Sequence, residues 1–287
     1  MKAPEFDYAA PDSLEQALAL LENDEDAKVI AGGQSLVALL NMRLTYPSLL
    51  VDLRRIPGLT EVREDGETLR IGAMTRQRAA ETSSLVAERC PLVVDALRHV
   101  AHPQIRSRGT VGGSIVHADP AGELPTLALA LDATMVLASS AGTREVPAAE
   151  FFQGFLMTAT EPAEILVDVI VPAIRPRTGT ACVEIARRHG DFAMCGALGQ
   201  VTVGSDGRVE EARLAFLGVS DRPVRATAVE QAVVGTDGGE AALSAAAELA
   251  VDGWEPMDDP QMTAEYRAQI ARVVARRALA QAIERTR

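Results

Sequence analysis

Residues 108–123 constrain this chain most. Gly109, Gly112 and Gly113 sit there among the small hydroxyl residues Thr110 and Ser114, and the stretch runs on into His117, Asp119 and Glu123. Where glycine removes the Cβ, backbone N–H groups can come close to a ligand, which is how a loop cradles a pyrophosphate. The imidazole and carboxylates that follow can serve ribose hydroxyls or the loop's own turns. An earlier stretch repeats the theme: Ala31, Gly32, Gly33, Gln34, Ser35 and Leu36 come directly after the apolar pair Val29 and Ile30. Two phosphate-sized cradles in one chain point to a dinucleotide. A P-loop would need a Lys-Ser/Thr pair and a Rossmann turn would need G-x-G-x-x-G, whereas both stretches carry Gly-Gly instead. A branched side chain at Gly113 is expected to fill the space a phosphate needs and leave the fold largely intact.

The periodicity around these stretches predicts an α+β chain. Ser13 and Gln16 form a capping-box pattern ahead of Leu14, Leu18 and Leu21, which read as one face of a helix. A short buried strand is expected at 28–31, which makes the first glycine stretch a strand-to-helix turn, with Leu36, Leu39 and Leu40 continuing at helical spacing. Further strands are predicted at 49–53, 69–73, 134–138 and, by alternation, 165–171. Helices are expected to open at 74–77, to run over 91–100 until Pro103 ends them, and to cover 127–131 after Pro125. Residues 172–179, with Pro172, Pro176 and Gly179, are the best linker. Beyond them come a hairpin about Asp206 and Gly207, helices at 226–234 and 240–250, and a last helix. In that helix Tyr266, Ile270, Val274, Ala278 and Ala282 recur as a buried stripe. The expected division is therefore 1–176, subdivided near 55, and a small α+β domain over 177–287.

A net charge of -12 argues against nucleic acid or an anionic membrane as partner. No apolar run approaches membrane-spanning length and the first residues read as no signal peptide, so the cytoplasm is expected. Cys90, Cys182 and Cys195 are scattered, against disulfides, zinc or an iron–sulfur cluster in this chain. His99 and His102 could share a helix face as metal ligands, but no third ligand stands near, and no metal is expected.

Taken together, A-G-G-Q-S-L at 31–36 and T-V-G-G-S-I-V-H-A-D-P-A-G-E at 110–123 resemble the FAD-binding medium subunit of molybdenum hydroxylases. Carbon monoxide dehydrogenase, quinoline and nicotine oxidoreductases and the flavin domain of xanthine dehydrogenase belong to this group. The resemblance runs the length of the chain. It implies a two-part FAD-binding domain of the p-cresol-methylhydroxylase-like type and a small C-terminal α+β domain. It also implies non-covalent FAD, with molybdopterin and 2Fe–2S clusters on a large and a small partner subunit, and a heterohexamer of two heterotrimers. Electrons would come from those clusters and pass to an external acceptor, so no residue here need be catalytic.

The resemblance carries cofactor contact onto Ala31, Gly32, Gly33, Gln34, Ser35 and Leu36, and onto Thr110, Gly112, Gly113 and Ser114, where many relatives have Asn at the last position. Ala101 and Ile165 are implied contacts as well. Glu123 aligns with an acid that hydrogen-bonds the cofactor; otherwise it is a solvated carboxylate at a helix start. His117 and Asp119 are loop scaffolding or an acid–base pair. The run Arg187, Arg188, His189, Gly190, Asp191, Phe192 resembles a segment that reaches back toward the flavin, with Arg188 on the cofactor and Phe192 near its ring. Read on its own it is a solvated charge run and one core aromatic. Two other readings stand beside this one. A self-sufficient flavin oxidase usually tethers FAD through a His beside the first glycine pair, and that His is missing here. An interaction subunit without cofactor would have no need of the glycine stretches.

Overall fold

Three short strands with helical crossovers place the first glycine stretch at the carboxyl end of a parallel sheet. The computed structural model describes residues 2–286. Strands β1 (Asp7–Ala9), β2 (Lys28–Ile30) and β3 (Leu49–Asp52) lie in the order β1-β3-β2, with α1 (Leu14–Glu22) and α2 (Leu36–Met42) between them in sequence. Ser13 Oγ accepts from the Gln16 N–H at 3.3 Å and caps α1, while Gln16 Oε1 reaches back to the Asp12 N–H at 3.2 Å. Ala17, Leu18 and Leu21 of α1 pack with Val51 and Leu53 in a small core of their own. Strand β2 is not the buried strand expected: Lys28 is exposed and Val29 and Ile30 are half-buried. It sits at the sheet edge, and Lys28 and Val29 line a cleft.

The middle of the chain supplies β4 (Val62–Asp65), β5 (Thr68–Gly72) and six helices, α3 (Gln77–Glu81), α4 (Ser84–Arg89), α5 (Pro91–His99), α6 (Pro103–Arg106), α7 (Val111–His117) and α8 (Glu123–Ala130). Then come β6 (Thr134–Ser139), β7 (Gly142–Pro147), α9 (Ala148–Phe151), β8 (Phe152–Gly154), β9 (Met157–Thr158) and β10 (Ile165–Pro172). An antiparallel sheet in the order β4-β5-β10-β6-β7 backs the helices. Pro103 does not end α5, which stops at His99; it opens α6, where the missing N–H costs nothing. Helix α8 begins at Glu123, ahead of Pro125. The alternation of β10 breaks at a bulge between Leu166 and Asp168, so Ile165 and Leu166 are both buried.

The rest forms an antiparallel sheet of β11 (Thr178–Ile185), β12 (Cys195–Val203), β13 (Val209–Leu217) and β14 (Val224–Arg225), covered by α10 (Thr227–Val233), α11 (Glu240–Ala247) and α12 (Ala264–Glu284). The expected hairpin is present, with Gly207 at φ +82 in its turn. In α12 Val274, Ala278 and Ala282 are buried, but Tyr266 is 50% exposed. Steps of four residues drift by about 40° each around a helix, so the stripe leaves the core at its N-terminal end. Arg267 is buried there instead and donates to the Met257 carbonyl and to Asp259. The largest core joins Leu69, Leu97, Leu124 and Leu137 to Leu198, Ala215 and Leu217 of the last sheet. Among the described residues, no helix is long and apolar enough to cross a membrane.

Candidate functional site

A cleft of about 730 Å³ runs between the parallel lobe, α7 with the start of α8, and the loop after β11. Every residue onto which the resemblance carried cofactor contact lines it except Arg188. On the first stretch, Gly33 adopts φ +73, a left-handed conformation that favours glycine. Among the described residues, the backbone N–H groups of Gly32, Gly33, Gln34, Ser35 and Leu36 donate to no protein acceptor. Gln34 Nε2 donates to the Gly32 carbonyl at 3.2 Å, and the Ser35 side chain does not cap α2. This wall of the cleft is therefore a row of uncommitted donors.

The second stretch is built differently. Residues 111–117 form α7, with Thr110 as its cap, and the N–H groups there are already used. Val111 donates to the Thr75 carbonyl, Gly112 to the Ala73 carbonyl at 2.8 Å, Gly113 to Thr110 Oγ1 at 3.0 Å and Ser114 to the Thr110 carbonyl. Its glycines serve close packing. A Cβ on Gly112 would lie 2.5 Å from Ala73 Cβ, and one on Gly113 would lie 2.7 Å from Thr110 Oγ1 and 3.3 Å from Ala31 Cβ. Gly32 answers from the other side, where a Cβ would strike the Arg108 carbonyl oxygen. The expectation of two open N–H cradles is thus corrected to one open row and one packed support that lets the two stretches touch.

Beyond α7, Asp119 makes a turn: its Oδ1 accepts from the Ala121 N–H at 2.9 Å and its carbonyl from the Gly122 N–H at 2.9 Å. Burial pushes the His117 imidazole below its ordinary value, with the nearby Asp119 charge opposing. Among the described residues the two side chains do not hydrogen-bond, which favours scaffolding over an acid–base pair. Burial first, then the charge of Glu184, push the Glu123 carboxyl up to about 8.

Ala101 stands at φ 41 between α5 and α6. Buried Arg106 holds this corner, donating to the Val100 carbonyl at 2.7 Å and to Glu81 at 2.9 and 3.2 Å. Against the cost of burial, hydrogen bonds from Arg106 and Arg78 keep Glu81 below the ordinary carboxylate range. Ile165 closes the cleft from the start of β10, and Phe192, 71% exposed, stands at its rim rather than in a core. Arg188 is exposed and does not itself line the cleft, although Gly190 and Asp191 do; its carbonyl takes the Asp191 N–H at 3.1 Å. Gly190, at φ +88, packs on His102, where a Cβ would lie 2.5 Å from Cε1. That contact fixes the loop's course. His99 Nδ1 lies 3.1 Å from Glu184 Oε2. Among the described residues no three His, Cys, Asp or Glu side chains gather to hold a metal.

Sequence reasoning missed Lys28, which lines the cleft beside the first stretch and has no carboxylate partner among the described residues. Its signal was available: Lys2 and Lys28 are the lysines of a chain whose other cations are arginines. It also missed Gln77, buried under Gly109 with Oε1 unpartnered.

Residues 4–174 match the family described as the FAD binding domain in molybdopterin dehydrogenase, and residues 181–282 match the CO dehydrogenase flavoprotein C-terminal domain. The 6-hydroxypseudooxynicotine dehydrogenase complex subunit alpha of Paenarthrobacter nicotinovorans is 43% identical over 288 residues, covering 100% of this chain and 97% of that one. Carbon monoxide dehydrogenase from Hydrogenophaga pseudoflava, in a form lacking the Mo-pyranopterin moiety, superposes with a TM-score of 0.96 at 40% identity over 99% of both chains. Quinoline 2-oxidoreductase from Pseudomonas putida 86 gives 0.94, also at 40% identity over 99% of both. The chain belongs to the FAD-binding medium subunits of the molybdenum hydroxylases.

Proposed function

We propose that this subunit holds FAD non-covalently in the cleft and relays electrons through it, from 2Fe–2S clusters on a small partner subunit to an external acceptor. The substrate is oxidised on a large molybdopterin subunit, and the complex is a heterohexamer of two such heterotrimers in the cytoplasm. The observation that carries this reading is the row of free N–H groups at 32–36 on the cleft wall. Five donors without protein acceptors fit a diphosphate, and Lys28 adds a cation beside them. The residues present therefore fit the cofactor.

When bound, FAD supplies the conversion between one-electron and two-electron transfer. The chain's own residues bind and orient. Residues 32–36 take the diphosphate, the packed support at 110–114 fixes their spacing, and Ala101 and Ile165 bound the cleft. The exposed rim at Phe192 leaves the mouth open toward a partner. Two measurements test the reading. Acid precipitation of the purified protein should leave flavin in the supernatant, whereas flavin that stays with the pellet would mean a covalent tether and favour the oxidase. The chain alone should oxidise no N-heterocycle or aldehyde with an artificial acceptor, and co-expression with molybdenum and iron–sulfur partners should restore flavin reduction by substrate. Turnover by the isolated, molybdenum-free chain would refute the relay role.

A further inference from the structure

Gln77 is the first residue of α3, and the segment ahead of it runs antiparallel to the second glycine stretch. Its own N–H donates to the Gly109 carbonyl at 2.9 Å. The Val111 N–H donates to the Thr75 carbonyl at 2.9 Å and the Gly112 N–H to the Ala73 carbonyl at 2.8 Å. Arg76 adds a side-chain bond to the Arg108 carbonyl. The backbone at 73–77 is thus fixed against 108–112, and the Gln77 side chain lies beneath Gly109. A Cβ on Gly109 would lie 2.6 Å from Gln77 Oε1 and 3.0 Å from its Cδ, so the glycine there makes room for a carboxamide. Gly109 also backs onto Gly32, where a Cβ would lie 2.8 Å from Gly109 Cα. The carboxamide is therefore seated where the two glycine stretches meet and where the row of free donors begins.

The protein gives this carboxamide nothing in return. Gln77 is 4% exposed, its Oε1 is buried without a partner, and among the described residues its Nε2 donates to no protein acceptor. The Ile105 carbonyl, on the same side of Gly109, already accepts from the Arg108 N–H at 3.0 Å and the Gly109 N–H at 2.7 Å. A buried amide bonded at neither end carries a desolvation cost that an apolar side chain of the same length would avoid, and it calls for an explanation. Thr75, two residues back, is the informative comparison. Its Oγ1 is also buried and unpartnered, but Thr75 does not line the cleft, whereas Gln77 does. Nε2 is not sealed as Oε1 is, and it is the polar end left to the cleft.

We infer that Gln77 is a further cofactor-binding residue, whose Nε2 donates to an acceptor atom of the bound dinucleotide at the junction of the two glycine stretches. Gly109 takes part by housing the other end of the carboxamide. The inference rests on the proposal that FAD occupies the cleft. It makes the cost in the empty protein the counterpart of a gain in the loaded one. Removing the amide should therefore move stability and affinity in opposite directions, which a merely structural glutamine would not do.

The experiment strips the full chain of cofactor, titrates it with FAD by flavin fluorescence, and unfolds the cofactor-free protein in urea. Gln77→Met keeps the length of the side chain and removes both polar ends. Its FAD dissociation constant should rise about tenfold, equivalent to about 1.4 kcal/mol for one lost hydrogen bond, while its urea midpoint equals or exceeds that of wild type. Gln77→Glu keeps the shape but replaces the donor with an acceptor, and should bind FAD at least as weakly as Gln77→Met. Thr75→Val removes the other orphan and should leave affinity unchanged, with a midpoint no lower than wild type. Unchanged affinity in Gln77→Met would overturn the inference, and so would a joint loss of affinity and midpoint, which would make Gln77 structural. A Gln77→Glu protein that binds as tightly as wild type would show the facing ligand group to be a donor and overturn it too. Loss of affinity in Thr75→Val as large as in Gln77→Met would trace the effect to the shared strut instead of the amide. If wild type itself binds no FAD, the reading of the cleft fails and this inference with it.

Discussion

Replacing Gly32 by Ala isolates the contact between the two glycine stretches. Its φ lies outside the left-handed region, so the backbone accepts an L residue. Restricting the unfolded chain would then favour folding by about 0.4–1 kcal/mol. The new methyl, however, would strike the Arg108 carbonyl oxygen and lie 2.8 Å from Gly109 Cα and 3.0 Å from Arg108 C. These are backbone atoms, tied down where Arg108 and Gly109 donate to the Ile105 carbonyl at 3.0 and 2.7 Å. No rotamer relieves the clash, so the stretches must part. Overpacking of this kind costs about 1–3 kcal/mol, which outweighs the entropic gain and leaves a net loss of about 1–2 kcal/mol. A protein that relaxes by opening the gap recovers stability but misplaces its donors, and about 2 kcal/mol then appears as a roughly 30-fold rise in the FAD dissociation constant. Urea unfolding without cofactor and FAD titration together read both outcomes. Gly66→Ala is the control: Gly66 has φ +62 but nothing within 4 Å, so it should lose about 1 kcal/mol of stability and no affinity. Gly32→Ala with stability and affinity both within about 0.3 kcal/mol of wild type would refute the packing argument.

Gly113→Val should lose both FAD and about 2 kcal/mol of stability, because its Cβ meets Thr110 Oγ1 and Ala31 rather than empty cleft. A variant of unchanged stability would restore the simpler expectation that the residue only makes room for phosphate. The hydrogen bond to Glu184 raises the His99 value against the effect of burial. Its contribution to stability is therefore full below 6.5 and lost as pH rises through the raised folded value. Melting temperatures of His99→Gln should converge on wild type toward high pH, and a gap that widens there would reverse the sign. Arg267→Ala removes a buried stem and two sets of hydrogen bonds, while Asp259, at 39% exposure, can rehydrate. Urea unfolding should show a loss of about 2–3 kcal/mol, and a loss under about 0.5 kcal/mol would mean the site refills.

The elements whose signals are local were legible. Ser13 and Gln16 cap α1, and the alternation at 165–171 became β10 save for one bulge. The cleft was legible too, because Gly-Gly beside small hydroxyl residues is costly unless something comes close to the backbone. What approaches each glycine was not legible. Gly112 serves Ala73 and Gly32 serves Arg108, partners brought in by tertiary packing, and a glycine reads the same whether a phosphate or a carbonyl lies beyond it. The loop of Arg188 was recognisable only through the resemblance, and its course depends on Gly190 settling on His102. Glu184 gave no local sign, since its burial arises only when α5 and β11 meet.

The largest core takes no notice of the chain's one proline-rich connection. Leu198, Ala215 and Leu217 lie beyond it in sequence yet share that core with Leu97 and Leu124. Gly218 donates to the Pro120 carbonyl across the same seam, and Arg225 reaches Asp132. A segment that looks detachable on paper, with a core of its own beneath α10–α12, also lends one face of its sheet to that interior. Cutting the peptide between Ala173 and Arg177 would therefore yield two fragments held together by shared apolar surface, a split protein, whereas either fragment made alone would display a raw apolar face to its surroundings. The connection divides the chain in sequence, but the apolar seam that crosses it binds the two parts into one folding partnership.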